Sequence, residues 1–311
     1  MTEAAWLQVE GPEWADAPRA ADGVPRGQPV VDRLVGLLDL ERIEDDIFRG
    51  ESLPEFPVRV FGGQVAGQAL VAASRTVPLE RAVHSLHAYF VRAGDPRVPI
   101  VFDVDRIRDG RSFTTRRVVA IQHGKAIFVL SASFQLPEDG LEHAHEMPDV
   151  PPPEHLDDLA TWVGRGSSSY AAAIRRIPRA FDLRYVTPPV WAGLGEEARP
   201  GQPSRLWMRA DGVLPDDPLV HVCLLAYASD LTLLGSVATG HGPQLGEGLM
   251  AASLDHAMWF HRPFRADDWV LYDCTSPSAS GGRGLATGEF FSRDGRLLAT
   301  VVQEGVVRVR G

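Results

Sequence analysis

Polar side chains that stand where the surrounding pattern of apolar residues calls for core are the first candidates for chemistry. Asp230 ends the run AYASD inside the apolar stretch LVHVCLLAYASDLTLLGSV, with Leu and Ala on most sides. Removing a carboxylate from water is costly unless the group is paired. Such a residue is either a reactive carboxylate or a structural acceptor in a polar gap between domains, and position alone leaves both readings open. Gln303 lies in RLLATVVQEGVVRV, where a strand period places Leu297, Ala299, Val301, Gln303 and Val307 on one face. That face is predicted to look toward the helix carrying Asp230, and the glutamine needs partners for its carbonyl and its amide. Glu304 falls on the opposite, solvated face. Ser253 opens the predicted strand SLDHAMWFHRPF, an ordinary place for a serine taken by itself.

Other candidates fit less well. Asp255 and His256 are adjacent, so on a strand they point to opposite faces and cannot form a relay; they are predicted to anchor a bend. His84 and His87, in VHSLHAYF, also face opposite sides of their strand and read as structural histidines. A serine hydrolase would need its serine on a sharp turn, and no GxSxG occurs. No HExxH or paired Cys/His spacing points to a metal. Cys223 and Cys274 each sit in an apolar stretch and read as reduced core thiols.

The elements that would position these residues repeat along the chain. Each half has a long apolar helix, GGQVAGQALVAASRTV in the first and PLVHVCLLAYASDLTLLGSVA in the second. A Ser-Leu strand ending in aromatics follows each, HSLHAYFVRAGD and ASLDHAMWFHRPF. Aligning Phe90 with Phe260 brings DGRSFTTRRVVAIQHGKAIFVLSASFQ into step with SGGRGLATGEFFSRDGRLLATVVQEG. A repeat of that size is a duplicated domain. A helix that is apolar nearly all round must be enclosed, and a curved antiparallel sheet wrapped around it meets that need. The expectation is an α+β tandem hotdog, two antiparallel sheets each wrapped around a central helix. In the repeat alignment Gln303 falls near Ser131 and Ala132, and Asp230 falls in the Ala/Ser part of the first helix. The first half therefore keeps neither residue at the matching place.

Boundaries follow from composition. Residues 1–27, rich in Ala, Gly, Pro and acids, read as a mobile tail. An amphipathic helix then begins, with Val31, Leu34, Leu37, Leu38 and Ile43 near helical spacing. The first hotdog is predicted over 28–138 and the second over 166–311. Between them residues 139–165 form a linker, marked by three consecutive prolines in PEDGLEHAHEMPDVPPPEH. With 311 residues, 44% hydrophobic and 23% charged, the composition is that of a globular protein of two domains. No apolar run approaches the roughly 18–20 residues of a membrane span. No secretory leader and no C-terminal address is recognisable, so a cytoplasmic location is expected. A net charge of −10 argues against a nucleic-acid partner.

The stretches FRGES, RVFGGQVAGQALVAA, VHSLHAYFVRAGDP, DVDRIRDGRSFTTRRV, GKAIFVLSASFQ, LLAYASDL, DHAMWFHRPF and ATGEFFSRDGRLLATVVQEG resemble, in order, the type II acyl-CoA thioesterases. The resemblance runs from about residue 30 to 309. It implies a double hotdog and hydrolysis of acyl-CoA to a free acid and CoA with no metal or organic cofactor. Carried over by motif, the catalytic set is Asp230 after YAS, Ser253 two residues before Asp-His, and Gln303 in VVQEG. Many relatives carry threonine at the middle position; serine keeps the hydroxyl and loses the methyl that restricts χ1. On this reading Asp230 is the general base, with a pKa lifted by partial burial, and Ser253 and Gln303 fix the attacking water. Gly62 and Gly63 could supply backbone donors to the oxyanion, or serve only a tight turn.

The resemblance further implies acyl-CoA as the binding partner, no nucleic-acid or membrane partner, and a homo-oligomer of two or four copies. Arg108, Arg111, Arg116, Arg117 and Arg283 are the available contacts for CoA phosphates, and Met250, Met258 and Trp259 are candidates to shape the acyl pocket. Two rival readings are a hotdog enoyl-CoA hydratase, which needs an Asp–His pair absent from these motifs, and a non-catalytic acyl-CoA-binding module.

Overall fold

The computed structural model describes residues 14–53, 56, 58–166, 168–192, 201–239, 241 and 249–309. Its helices are α1 (Gln28–Leu38), α2 (Gly62–Ser74), α3 (Leu159–Arg165), α4 (Ser169–Ile174), α5 (Pro218–Ser229) and α6 (Gly235–Thr239), and two of them lie at the centre. Helix α2 (Gly62–Ser74) is buried on every side from Gly63 to Ala73, and α5 (Pro218–Ser229) is buried through most of its length. The start of α5 is fixed by Pro218 in the first turn and by Asp217, whose carboxylate accepts the Leu219 N–H at 2.9 Å. The two helices pack directly on one another. A Cβ at Gly63 would stand 2.3 Å from the Tyr227 carbonyl oxygen, so only glycine permits this approach.

Around the helices runs an antiparallel sheet. The first half supplies β1 (Glu41–Glu44), β2 (Ile47–Gly50), β3 (Ala82–Phe90), β4 (Ile100–Asp109), β5 (Phe113–Gln122) and β6 (Lys125–Gln135). The second supplies β7 (Phe181–Tyr185), β8 (Ser204–Ala210), β9 (Leu249–Ser253), β10 (Asp255–Phe260), β11 (Val270–Ser280), β12 (Arg283–Ser292) and β13 (Leu297–Val309). The order is β1-β2-β4-β5-β6-β3-β10-β13-β12-β11-β8-β7, with β9 added beside β13. Reading outward from the middle, β3-β6-β5-β4-β2 matches β10-β13-β12-β11-β8, the signature of duplication.

The two expected sheets are in fact one continuous sheet of 13 strands. They join through β3 and β10, which pair from Tyr89 opposite Asp255 to Ser85 opposite Trp259. Each hotdog alone would leave a row of unpaired N–H and C=O groups on that edge, and joining satisfies both rows. Inward side chains such as Leu86, Phe102, Phe128, Met258, Phe290 and Val301 form one core with both helices.

Several local expectations are corrected. The apolar stretch around Asp230 is not one helix. α5 stops at Ser229, and the chain continues through tight turns into α6 (Gly235–Thr239). The turns lay Leu234 against Gly305 and Val237 against Gly284, where a Cβ would collide. Leu297 lies on the outer face, because a register shift in the β12–β13 ladder pairs it with Phe291 while Ala299 pairs with Phe290. It joins Trp207, Leu271 and Phe291 under Met147, Val150 and Leu156 of the segment that connects the halves. That segment is further tied by Trp207 Nε1 donating to the Pro151 carbonyl at 2.9 Å.

The first ordered helix, α1 (Gln28–Leu38), ends before Ile43, which lies exposed in β1. Residues 14–27, expected as part of a tail, are packed. Trp14 is 3% exposed, and Arg26 makes a two-pronged contact with Asp211, 2.7 Å at each end. Small and acidic residues hid this docking because it depends on a few anchors rather than on a periodic face.

Candidate active site

Asp230, Ser253 and Gln303 come from three elements and meet at one point. Asp230 caps the C-terminus of α5, Ser253 ends β9, and Gln303 lies within β13. Gln303 Nε2 donates to Asp230 Oδ1 at 2.7 Å and to Ser253 Oγ at 2.9 Å. Ser253 Oγ stands 3.5 Å from the same carboxylate oxygen. The glutamine is fully buried, while Asp230 and Ser253 keep part of their surface open.

The sheet explains the convergence. Ser253 pairs with Gly305, two residues beyond Gln303, so both side chains share the inner face of β13 and its neighbour. Ser253 thus closes one strand rather than opening the next. The path breaks at Leu254, and the Asp255 carboxylate pins the bend by accepting the Glu304 N–H at 2.7 Å. In the first half the equivalent ladder pairs His87 with Ser131 as Ala257 pairs with Val302, which sets Ala132 in the place of Gln303.

Asp230 also touches the other half. It terminates α5, where a helix dipole disfavours an anion, and it faces the first turn of α2, where a dipole favours one. The Gly63 backbone N–H donates to it. Burial pushes the Asp230 carboxyl up to about 6, against the opposing pull of hydrogen bonds from Gln303, Gly63 and Ser253 and of the Arg59 charge. The Gly63 amide, one of the two backbone groups expected near an oxyanion, therefore stands beside the carboxylate and favours its charged form. Gly62 lies tight against the carboxylate itself, since a Cβ there would stand 2.7 Å from Asp230 Oδ2 and 2.7 Å from the Phe90 ring.

The remaining candidates lie elsewhere. His84 Nε2 is 2.8 Å from Ser133 Oγ in the first half, and His87 packs edge-on against Trp259. Trp259 is thus turned to the outer face with His87, away from the pocket-shaping place expected for it, whereas Met258 is buried inside. Of the five arginines, Arg116 is buried and bound to Asp109 and Thr76, Arg117 pairs with Asp105, and Arg283 pairs with Glu304. Those three guanidiniums already have acidic partners. Two features escaped the sequence, the Gly63 donor and a buried bond between His256 and Ser229. Both depend on contacts between distant segments: the chain shows the Gly62–Gly63 pair and the histidine, and nothing in it marks their partners.

A family model described as acyl-CoA thioesterase matches residues 194–306, and one described as acyl-CoA thioesterase N-terminal domain matches residues 52–135. The chain is 43% identical over 290 residues to acyl-coenzyme A thioesterase 8 of Mus musculus, with 89% of each chain covered. It is 41% identical over 285 residues to acyl-CoA thioesterase 2 of Haemophilus influenzae, covering 90% of this chain and 98% of that one. Among solved structures, the acyl-CoA thioesterase II TesB2 from Mycobacterium marinum matches with a TM-score of 0.75 at 46% identity, covering 89% of this chain and 99% of that chain. The tandem hotdog fold and these relatives together show that the chain belongs to the acyl-CoA thioesterase II family and hydrolyses acyl-CoA.

Proposed function

We propose that Asp230, Ser253 and Gln303 carry this hydrolysis, with fatty acyl-CoA as the substrate and water as the nucleophile. The observation that supports it is the closed contact of carboxylate, hydroxyl and amide around a partly open Asp230. Asp230 takes a proton from water as the water oxygen bonds to the thioester carbonyl carbon. The carbon–sulfur bond then breaks, and the proton passes to the departing CoA sulfur. The products are the free acid and CoA. Gln303 spends both amide hydrogens on Asp230 and Ser253, so its part is to orient those two groups rather than to hold the water itself. Ser253 turns its one hydroxyl hydrogen toward Asp230 and accepts from Gln303, which leaves its second lone pair to accept a hydrogen bond from the water.

The test is CoA release, followed with a thiol reagent over acyl-CoAs of graded length, for the wild type and for Asp230→Asn, Ser253→Ala and Gln303→Ala. Loss of about 100-fold or more in kcat in the first variant, with the fold intact, is expected. Wild-type turnover in Asp230→Asn would remove Asp230 from the mechanism.

We also infer a cytoplasmic enzyme that assembles as a dimer or tetramer of identical chains. The remaining sheet edges, β1 and β7, and the exposed Tyr89 and Val91 beside the central seam are surfaces for such assembly. Light scattering on the purified chain reads the copy number, and a monomer at working concentration would remove the assembly.

A further inference from the structure

His256 is 1% exposed and points inward from β10 beside Met258, in a place an apolar side chain would fill at less cost. Its Nε2 lies 2.8 Å from the hydroxyl of Ser229, the residue immediately before Asp230. That hydroxyl has one hydrogen, which it gives to the Ala226 carbonyl at 2.9 Å. The Nε2 must then carry a proton and donate to Ser229 Oγ, which fixes the tautomer. Burial lowers the His256 pKa to about 4, so the ring is neutral at ordinary pH. Its Nδ1 is buried without a hydrogen-bond partner among the described residues, a cost that needs an offsetting role.

The same side chain stands beside the other half of the site. The ladder of β10 and β13 runs as far as Ala257 opposite Val302, and His256 and Gln303 are each the next residue along, turned by strand alternation to the inner face that Met258 and Val301 share. On the other side of Ser229, Tyr272 donates its hydroxyl to the Ser229 carbonyl at 3.0 Å. The residue that ends α5 is thus gripped from two strands, and one of the grips comes from the inner face that also carries Gln303.

We propose that His256 is a positioning residue for the hydrolysis: bonded to Ser229 and flanking Gln303, it fixes both mounts from which Asp230 and Gln303 reach each other. The ring touches neither substrate nor water. Its effect passes through the 2.7 Å contact between Gln303 and Asp230, which a small rotation of the α5 end would open. This rests on Asp230 being the base.

The experiment compares His256→Leu, His256→Gln, Ser229→Ala and Asp230→Asn by kcat, KM, pH profile and thermal melting. His256→Leu and Ser229→Ala are expected to lower kcat at least ~10-fold while KM stays within about twofold. Their acidic limb moves to higher pH, because the Gln303 bond that holds the Asp230 pKa down is loosened. The double variant His256→Leu/Ser229→Ala loses no more than either alone. His256→Gln, whose amide nitrogen reaches the Nε2 position, recovers most of kcat.

Wild-type kcat and an unmoved limb in His256→Leu overturn the proposal, as does a loss confined to KM or a His256→Gln as impaired as His256→Leu. Should His256→Leu not fold, full kcat and an unmoved limb in Ser229→Ala overturn it equally. Asp230→Asn separates the two readings. Full activity there sinks the base assignment, whereas an inactive Asp230→Asn beside a normal His256→Leu sinks only the positioning role.

Discussion

The amide nitrogen of Gln303 lies 2.7 Å from Oδ1 of Asp230, joining the centre of the last strand to the end of the second central helix. The glutamine has no exposed surface, so it cannot exchange this partner for bulk water. A donor held in that way orients the carboxylate and opposes the rise in its pKa that burial causes.

Replacing the donor by an acceptor of the same shape tests that relationship. Gln303→Glu places a second carboxyl against Asp230, and two such groups cannot both ionise at contact distance. The pair is expected to share a proton near neutral pH, with kcat reduced about 100-fold or more and recovering partly at alkaline pH. A pH–rate profile of the purified variant reads both effects. A profile that overlays the wild type shows that the contact carries no weight.

The Asp230 pKa of about 6 makes a prediction about both rate and stability. The base works when ionised, so kcat rises with pH through about 6 and levels above it. Stability runs the other way. An unfolded aspartate releases its proton near 3.9, while the folded one holds it to about 6, so between those values the native state binds more protons. Stability therefore falls as pH rises across that window, and the ionised group costs on the order of 2 kcal/mol at pH 7. Asp230→Asn should melt a few degrees higher than wild type at pH 7 and no higher at pH 4. Equal melting points at pH 7 would contradict the raised pKa.

Arg59 supplies a third test. It is exposed, three residues ahead of Gly62, and burial of Asp230 is opposed in part by its positive charge. Arg59→Gln removes that charge and should move the acidic limb of kcat upward. Because the guanidinium is solvated, added salt should shift the wild-type limb in the same direction and leave the variant nearly unchanged. An identical salt response in both proteins would show that Arg59 does not act on the carboxylate.

How far these features were legible in the chain depended on whether they were periodic. The duplication, the two central helices and the inward alternation from Ala299 to Gln303 follow from repeated spacing of apolar residues, and the structure contains them. Asp230 and Gln303 stood out because a polar type interrupted that spacing. Three things were set by contacts between remote segments and left no such mark. The helix ends at Ser229 because Leu233, Leu234 and Val237 turn down onto sheet glycines, although the run through Ala238 reads as continuous helix. Leu297 changes face through one register shift that alternation cannot reveal. The edges of β3 and β10 meet because each lacks a partner, a property of the folded halves rather than of either stretch of sequence.

The paired glycines at the start of α2 separate catalysis from folding. A methyl at Gly62 would stand 2.7 Å from Asp230 Oδ2 and from the Phe90 ring, two side-chain neighbours that can give way. Gly62→Ala should fold, with a melting point near the wild type, and lose kcat by about 10-fold or more because the carboxylate is displaced. A methyl at Gly63 would stand 2.3 Å from the Tyr227 carbonyl oxygen, a backbone atom in a buried helix. That contact can be relieved only by moving α2 away from α5, which opens the core between them and removes the Gly63 N–H from Asp230. Gly63→Ala should therefore lower stability and activity together. Thermal melts and kcat measured on both variants check the contrast. If Gly62→Ala keeps full kcat, the Asp230 side chain has room to move without loss, and its tight placement against α2 has no part in the reaction.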